Sequence, residues 1–337
     1  RNIGGGRTAF SLPELAEIAA QNHHIFKELQ YLSNIDYKPI RYISFAHDEE
    51  TYKALEASKA WSKAEMIAPK QFREEISPYF NANPKKYISA LVSEDCWQAT
   101  PGKVVDLVRN LGIAAGGTVM EDCRVLEACR EGKYTSVLVQ THDKKYVEYR
   151  TEHFVNALGS GAGKLCDSMG IDAGLYPVRH QAFITRRLPM LGKHGTNLDM
   201  LIDRQDYKGF SAVYGQQIAY TGQIIGCASP KLDAMRIDKN LKVNTKAFLE
   251  IVSEMFSEWI PDLAGVGIQA VWAGYYTEPR YIVDPELGLF VGMRGHGFML
   301  SQYIARMYVD KLLGRPVPEY FEKLKLNGPG LSEKAFK

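Results

Sequence analysis

Two glycine-rich runs at opposite ends of the sequence constrain this chain most. Arg1-Asn2-Ile3-Gly4-Gly5-Gly6-Arg7-Thr8 opens it, and Arg294-Gly295-His296-Gly297-Phe298 stands just before its last long apolar segment. Glycines at this density let backbone N–H groups approach a ligand with no Cβ in the way. Each run is a weak signal alone. With the elements that lie between them, they predict that both ends of the chain fold back onto one flat ligand.

The 337 residues are enough for one large domain or two interleaved ones with an ample apolar core. Lys and Arg number 41 against 39 Asp and Glu, so the net charge is only +2 and no basic block forms. That balance excludes nucleic-acid binding driven by phosphate neutralisation. No apolar stretch reaches the length of a membrane span, and no signal-peptide pattern occurs. Cys96, Cys123, Cys129, Cys166 and Cys227 are odd in number and show no metal-ligand spacing. They read as small buried hydrophobes in a reducing compartment, and the expected location is cytoplasmic.

Ser11-Leu12-Pro13-Glu14 reads as a capping box that opens a helix to about residue 32, with Leu15, Ile18, Phe26 and Leu29 on one face. A strand is expected at 40–46, a charged helix at 49–62, a short helix near 71–76 and a strand at 87–92. Thr100-Pro101-Gly102 starts a helix that Gly116-Gly117 stops. Strands follow at 118–125, 136–140 and 146–150. The apolar run His153 to Gly159, ending at Gly159-Ser160-Gly161, reads as a parallel strand terminating at a nucleotide site. From Pro177 to Ala228 aromatic and polar residues alternate, as in an antiparallel sheet with one side open to a pocket. An amphipathic helix at 245–259, short strands at 271–274 and 288–292, and a final helix at 297–313 complete the expected order.

In this order the motifs resemble those of the FAD-dependent amine and amino-acid oxidoreductases, the group containing D-amino-acid oxidase, glycine oxidase and sarcosine oxidase. Arg1-Asn2-x-Gly-Gly-Gly resembles the loop after the second strand of their dinucleotide fold. The Arg124-Val125 strand resembles the segment beside adenine, and Val155-Asn156-Ala157-x-Gly159 the strand end beside the pyrophosphate. Trp272-Ala273-Gly274 and Arg294-Gly295-His296-Gly297-Phe298 resemble the flavin-side motifs. The resemblance covers almost the entire chain. It implies an α/β (α+β) fold, an FAD-binding domain at 1–36, 95–176 and 272–330 interleaved with an antiparallel-sheet substrate domain at 37–94 and 177–271. It also implies non-covalent FAD and oxidation of the C–N bond of an amino acid or secondary amine by hydride transfer to flavin N5. The alternatives are 2-hydroxy-acid oxidation on the same fold and a non-catalytic or electron-transfer subunit of a flavoprotein complex.

The candidate cofactor contacts are Arg1, Asn2, Gly4, Gly5, Gly6, Val125, Ala157, Gly159, Arg294, Gly295, His296, Gly297 and Phe298. Gly295 to Phe298 would aim a helix N-terminus at the flavin ring, where negative charge accumulates, and Arg294 would add a full charge. The plainer reading is a tight turn holding a satisfied histidine. Two departures from the family pattern stand out. Its first strand and GxGxxG loop would lie upstream of Arg1, so an N-terminal fragment or a partner chain is expected to complete the FAD site. The arginine that grips the substrate carboxylate two residues after the Trp-Ala-Gly glycine is Tyr276 here. Tyr214, Tyr276 and Arg280 are therefore the substrate-side candidates, with His180 and Gln181 read as structural.

Overall fold

The computed structural model describes residues 2–81, 85–191, 198–205, 210–218, 221–230 and 245–333. Arg1 lies outside them. In chain order the first half forms β1 (Gly5–Gly6), α1 (Pro13–Leu32), β2 (Lys38–Ala46), α2 (Glu49–Ala57), β3 (Ala64–Ile67), α3 (Phe72–Glu75), β4 (Ser89–Gln98) and α4 (Pro101–Ala114). Next come β5 (Arg124–Glu131), β6 (Tyr134–Gln140), β7 (Tyr146–Thr151), α5 (Ala162–Ser168), β8 (Tyr176–Thr185), β9 (Met200–Asp203), β10 (Phe210–Gln217) and β11 (Ile224–Pro230). The chain closes with α6 (Thr245–Trp259), β12 (Ile268–Glu278), β13 (Ile282–Asp284), β14 (Leu289–Val291) and α7 (Gly297–Leu312).

A nine-stranded mixed sheet in the order β1-β4-β2-β9-β10-β11-β8-β12, with β3 on β4, forms the frame. All its pairs are antiparallel except β2 with β9. Successive side chains of a strand point to opposite faces. On one face, Ile43, Phe45, Phe183, Leu201, Val213 and Ile224 meet Phe248, Ile251, Val252, Met255, Phe256 and Trp259 of α6. That helical spacing of i, i+3, i+4, i+7 is the stripe visible in the sequence. Beyond the end of the sheet, α1 and α7 pack together through Ile18, Phe26, Leu29, Leu300, Ile304 and Met307. A separate three-stranded antiparallel sheet, β5-β6-β7, sits on α5.

Several local readings differ from the sequence expectation. Ser11 does not cap α1: Leu12 occupies the cap without a side-chain bond, and the Ser11 N–H donates to Glu333 Oε2 at 2.9 Å. Glu14 is drawn instead to Lys323. The run 153–159 forms no strand among the described residues, only a parallel bridge from Asn156 to Leu289. Val155 and Leu158 stay exposed. By contrast β12 runs eleven residues, straight through the break expected at Gly274. No described helix is long and apolar enough to cross a membrane. The five cysteines are all free thiols.

A buried polar knot ties β9 to β2. Asp203 is fully buried and accepts hydrogen bonds from Trp259 Nε1 at 3.2 Å, Tyr87 Oη at 3.3 Å and the Gln205 N–H at 3.0 Å. His47 Nε2 lies 2.7 Å from Asp203 Oδ1, and its Nδ1 lies 2.6 Å from the Lys86 carbonyl. Both partners only accept, so both ring nitrogens carry protons and the ring is an imidazolium. Gln205 Nε2 stands 2.7 Å from the same Nδ1; a protonated Nδ1 requires this amide in the flipped orientation, with Oε1 toward the ring. Burial alone would push the His47 pKa down, but the Asp203 hydrogen bond and charge and the Lys86 carbonyl outweigh it and hold it above the ordinary value.

A raised folded pKa has a definite consequence for stability. The contribution is complete below the unfolded value of about 6.5 and is lost as pH climbs through the folded one. The urea midpoint of the wild type is expected to fall between neutral and alkaline pH. His47→Gln should remove that slope, and an unchanged slope would refute the assignment.

Candidate active site

The face of the large sheet turned away from α6 is the floor of a cavity of about 780 Å³. Strand alternation selects what reaches it: Tyr214 from β10, Cys227 from β11, His180 from β8, and Trp272 and Tyr276 from β12. Register brings these together. Tyr214 stands opposite Cys227, and Gly274 opposite His180. Tyr214 Oη and Tyr276 Oη share a hydrogen bond of 2.8 Å, and the His180 ring stacks on Tyr276 with centroids 3.7 Å apart.

The roof comes from both ends of the chain, as the glycine runs predicted. Asn2, Ile3, Gly5 and Arg7 line it from the opening segment, and Arg294 to Met299 from the entrance to α7. The turn before α7 is tightly wound. Gly292 has φ +70°, and Arg294 is held in the left-handed region at φ +51°. A non-glycine residue there costs energy that its surroundings must supply. Here the Arg294 N–H donates to the Thr277 carbonyl at 3.1 Å, and its Nε donates to Glu278 Oε2 at 2.7 Å. Gly295 has no room for a Cβ because the Tyr276 ring lies against it. Roof and floor thus touch at Gly295 and Tyr276.

Electrostatically the cavity is cationic. Arg7, Arg204 and Arg294 line it, with Glu278 as the one acidic lining residue among those described. Desolvation, reinforced by Arg7, Arg294 and Arg204, holds His296 far below its usual pKa, so its ring is neutral. Arg7 Nη2 lies 3.4 Å from His296 Nε2. A guanidinium can only donate, so Nε2 accepts and the ring proton sits on Nδ1, facing Tyr281 Oη. The Arg7 guanidinium also covers the Phe10 ring at 4.4 Å. On the floor, burial pushes His180 down to about 3 and Cys227 up to about 12, and raises Tyr214 and Tyr276 above the ordinary phenol value. Each of these four groups is uncharged at neutral pH.

The sequence candidates therefore separate. Asn2, Gly5, Tyr214, Tyr276, Arg294, Gly295, His296, Gly297 and Phe298 line one cavity. Gly4, Gly6, Val125, Ala157 and Gly159 do not, although Ser160 beside Gly159 does. Gly6 packs on the Trp97 ring. Arg280 is spent elsewhere, donating from Nη1 to the Gly328 carbonyl at 3.2 Å and from Nη2 to that of Leu326. It is a tether for the C-terminal segment and does not line the cavity. Sequence reasoning missed Arg7, which sits inside the opening run, and Arg204, which follows an apolar strand with no local signal.

The site fits an isoalloxazine ring. Arg294 Nη1 is buried with no hydrogen-bond partner among the described residues. The sixteen-residue helix α7 begins at the cavity with N–H groups that have no partner within the helix. Both are donors suited to the electron-rich edge of a flavin.

The open face of the mixed sheet thus meets the N-terminus of a long helix across a cationic cavity. The family model described as DAO, FAD dependent oxidoreductase, matches residues 2–311, and the chain belongs to that family. It is an FAD-dependent oxidoreductase. Curated protein sequences gave no match. Among solved structures, L-proline dehydrogenase from P. horikoshii superposes with a TM-score of 0.78 at 22% identity, over 96% of this chain and 85% of that one. Glycine oxidase from Geobacillus kaustophilus gives 0.76 at 17% identity, over 97% and 87%. Iminodiacetate oxidase from Chelativorans sp. BNC1 gives 0.72 at 13%, over 98% and 92%. These likenesses establish the mixed α/β fold.

Proposed function

We propose that the chain oxidises the C–N bond of an amino acid or secondary amine, on the ground that its family's cofactor site opens onto a desolvated floor of neutral hydroxyl, thiol and imidazole groups. FAD, when bound, supplies the acceptor for the hydride that leaves the substrate carbon. Arg294 and the N-terminus of α7 stabilise the negative charge that follows it. Tyr214 and Tyr276 orient the substrate through their shared hydroxyl pair. Among the described floor residues, neither His180, pushed down to about 3, nor Cys227, which stays a protonated thiol, takes a proton from an ammonium at neutral pH. The substrate amine therefore enters neutral. Turnover at low substrate concentration is expected to rise with pH until the free amine has lost its own proton. A bell-shaped profile independent of the amine's basicity would contradict this.

Tyr276→Phe removes the 2.8 Å bond to Tyr214 while keeping the ring against His180 and Gly295. Losing one buried hydrogen bond costs about 1–3 kcal/mol. A fall in kcat/KM of about tenfold or more is expected, with the flavin content unchanged. Equal kcat/KM would show that the pair does not touch substrate.

Helix α4 exposes Val105, Val108, Leu111 and Ile113, and Val155 and Leu158 are exposed beside Asn156. An N-terminal fragment or partner chain carrying a strand, a glycine loop and a helix would cover this apolar face and seat the pyrophosphate at a helix N-terminus. The division into an FAD domain (1–36, 95–176, 272–330) and a substrate domain (37–94, 177–271) belongs to the same reading, although β12 crosses one boundary without a break. The free thiols suit a reducing cytoplasm.

The reading is tested by visible spectroscopy of the flavin-loaded protein under anaerobic conditions. Amino acids or N-methylated amines should bleach the flavin bands and 2-hydroxy acids should not. Bleaching by hydroxy acids alone would move the assignment to C–O oxidation, and bleaching by nothing would leave a non-catalytic subunit.

A further inference from the structure

We propose that the C-terminal strap, residues 314–333, is a working part of the flavin site. It carries Glu333 to the back of the cavity wall, where the carboxylate offsets the lining cations and sets the reduction potential of the bound flavin. The inference rests on the flavin site alone and is independent of which substrate is oxidised.

The family model matches residues 2–311, and the strap lies beyond it. Past α7, Gly314 takes φ +68° and the chain doubles back along α1. Its contacts descend that helix toward its start. Tyr320 Oη donates to Glu17 Oε1 at 3.2 Å, Lys323 pairs with Glu14, and Glu333 Oε2 accepts from the Ser11 N–H at 2.9 Å. Phe321, Leu324 and Leu331 are buried in one core with Ile18, Phe26 and Leu300. Arg280 pins the middle of the strap through the Leu326 and Gly328 carbonyls. Burying a carboxylate costs free energy that a loose tail would avoid by leaving it in water. Glu333 is nevertheless fully buried.

Its position gives that burial a purpose. Ser11 follows Phe10, whose ring lies under the Arg7 guanidinium at 4.4 Å and edge-on to the His296 ring at 5.5 Å. Arg7 and His296 line the cavity, and Glu333 does not. The carboxylate is thus anchored one residue from a ring that packs against two cavity residues. Of the three lining arginines, Arg294 is paired with Glu278 on the lining itself. Glu333 acts on the cations from behind. Burial, and after it Arg7, bring the Arg204 pKa down to about 9, and Glu333 works against them. Tyr281, which faces His296, also feels this carboxylate, although burial is the larger cause of its raised pKa. Charges act on one another more strongly where the dielectric is low. A fixed carboxylate here opposes the negative charge that a flavin gains on reduction, and the arginines favour it.

The test is the midpoint potential of the flavin-loaded protein, read by equilibration with a reference dye in the absence of oxygen. Glu333→Gln keeps an acceptor for the Ser11 N–H and removes only the charge. It is expected to favour the reduced flavin at least about tenfold, a rise of about 30 mV for a two-electron couple. Glu333→Asp keeps the charge on a shorter side chain and should stay within about threefold of wild type. An unchanged or lower potential in Glu333→Gln overturns the proposal. An equal rise in Glu333→Asp also overturns it, because the effect would then be one of packing. If Glu333→Gln alone does not fold, the same charge is read in the Arg204→Gln background. There the double variant should lie above the single one by the same tenfold, and equal potentials overturn the proposal. No substrate enters the measurement, so its failure leaves the proposed reaction untouched.

Discussion

Replacing Gly292 with alanine is expected to leave little folded protein. At φ +70° an L side chain is strained by about 1–2 kcal/mol. More seriously, a Cβ there would fall inside the van der Waals surface of the Arg280 carbonyl oxygen. That oxygen is backbone, and the residue carrying it is pinned by its own guanidinium to the Leu326 and Gly328 carbonyls. No rotamer change relieves such a clash. We expect a loss of about 4 kcal/mol or more, a large part of a total stability of about 5–15 kcal/mol. Gly314→Ala is the control: φ is +68° there, but nothing lies within 4 Å of the added carbon. It should cost about 1 kcal/mol. Urea unfolding of the two variants decides the matter, and equal losses would refute the steric account. Any Gly292→Ala protein recovered should also hold flavin poorly, because Arg294 and Gly295 follow directly.

The second large effect is expected at Asp203. Alanine there strips the partner from the His47 imidazolium and leaves the Tyr87, Trp259 and Gln205 donors facing a void. Removing one member of a buried pair costs about 3–5 kcal/mol, because the other charge stays behind. Asp203→Asn keeps an acceptor and should cost less, but it removes the charge that holds the His47 pKa up. Its stability should therefore stop declining toward alkaline pH, as in His47→Gln. An NMR titration of His47 reads this directly. A pKa in Asp203→Asn as high as in wild type would show that the pair is not the cause.

Much of this architecture is legible in the sequence, for reasons that are local. The apolar stripes of α1 and α6 repeat at helical spacing, and alternation along 177–228 marks strands with one open face. The two glycine runs announce the roof of the cavity. What escapes the sequence depends on distant partners. Gly274 looks like a strand end, yet β12 continues because Gly274 lies opposite His180, whose ring then stacks on Tyr276. Ser11 and Glu14 spell a capping box, but the carboxylate that meets the Ser11 N–H is Glu333, 322 positions away. Arg280 stands close to the expected receptor position in sequence, yet it bonds with the C-terminal segment. Arg204 reaches the cavity only because β9 pairs with β10, a neighbour relation that no periodicity encodes.

The most direct test of the account is a product balance on a single anaerobic turnover with N-methylglycine. Oxidation of the C–N bond gives an imine, which water splits into a carbonyl compound and an amine. For each flavin reduced, the account requires one carbonyl and one amine to appear. A flavin that is reduced with no amine released, or that N-methylglycine and the common amino acids leave oxidised, would contradict it.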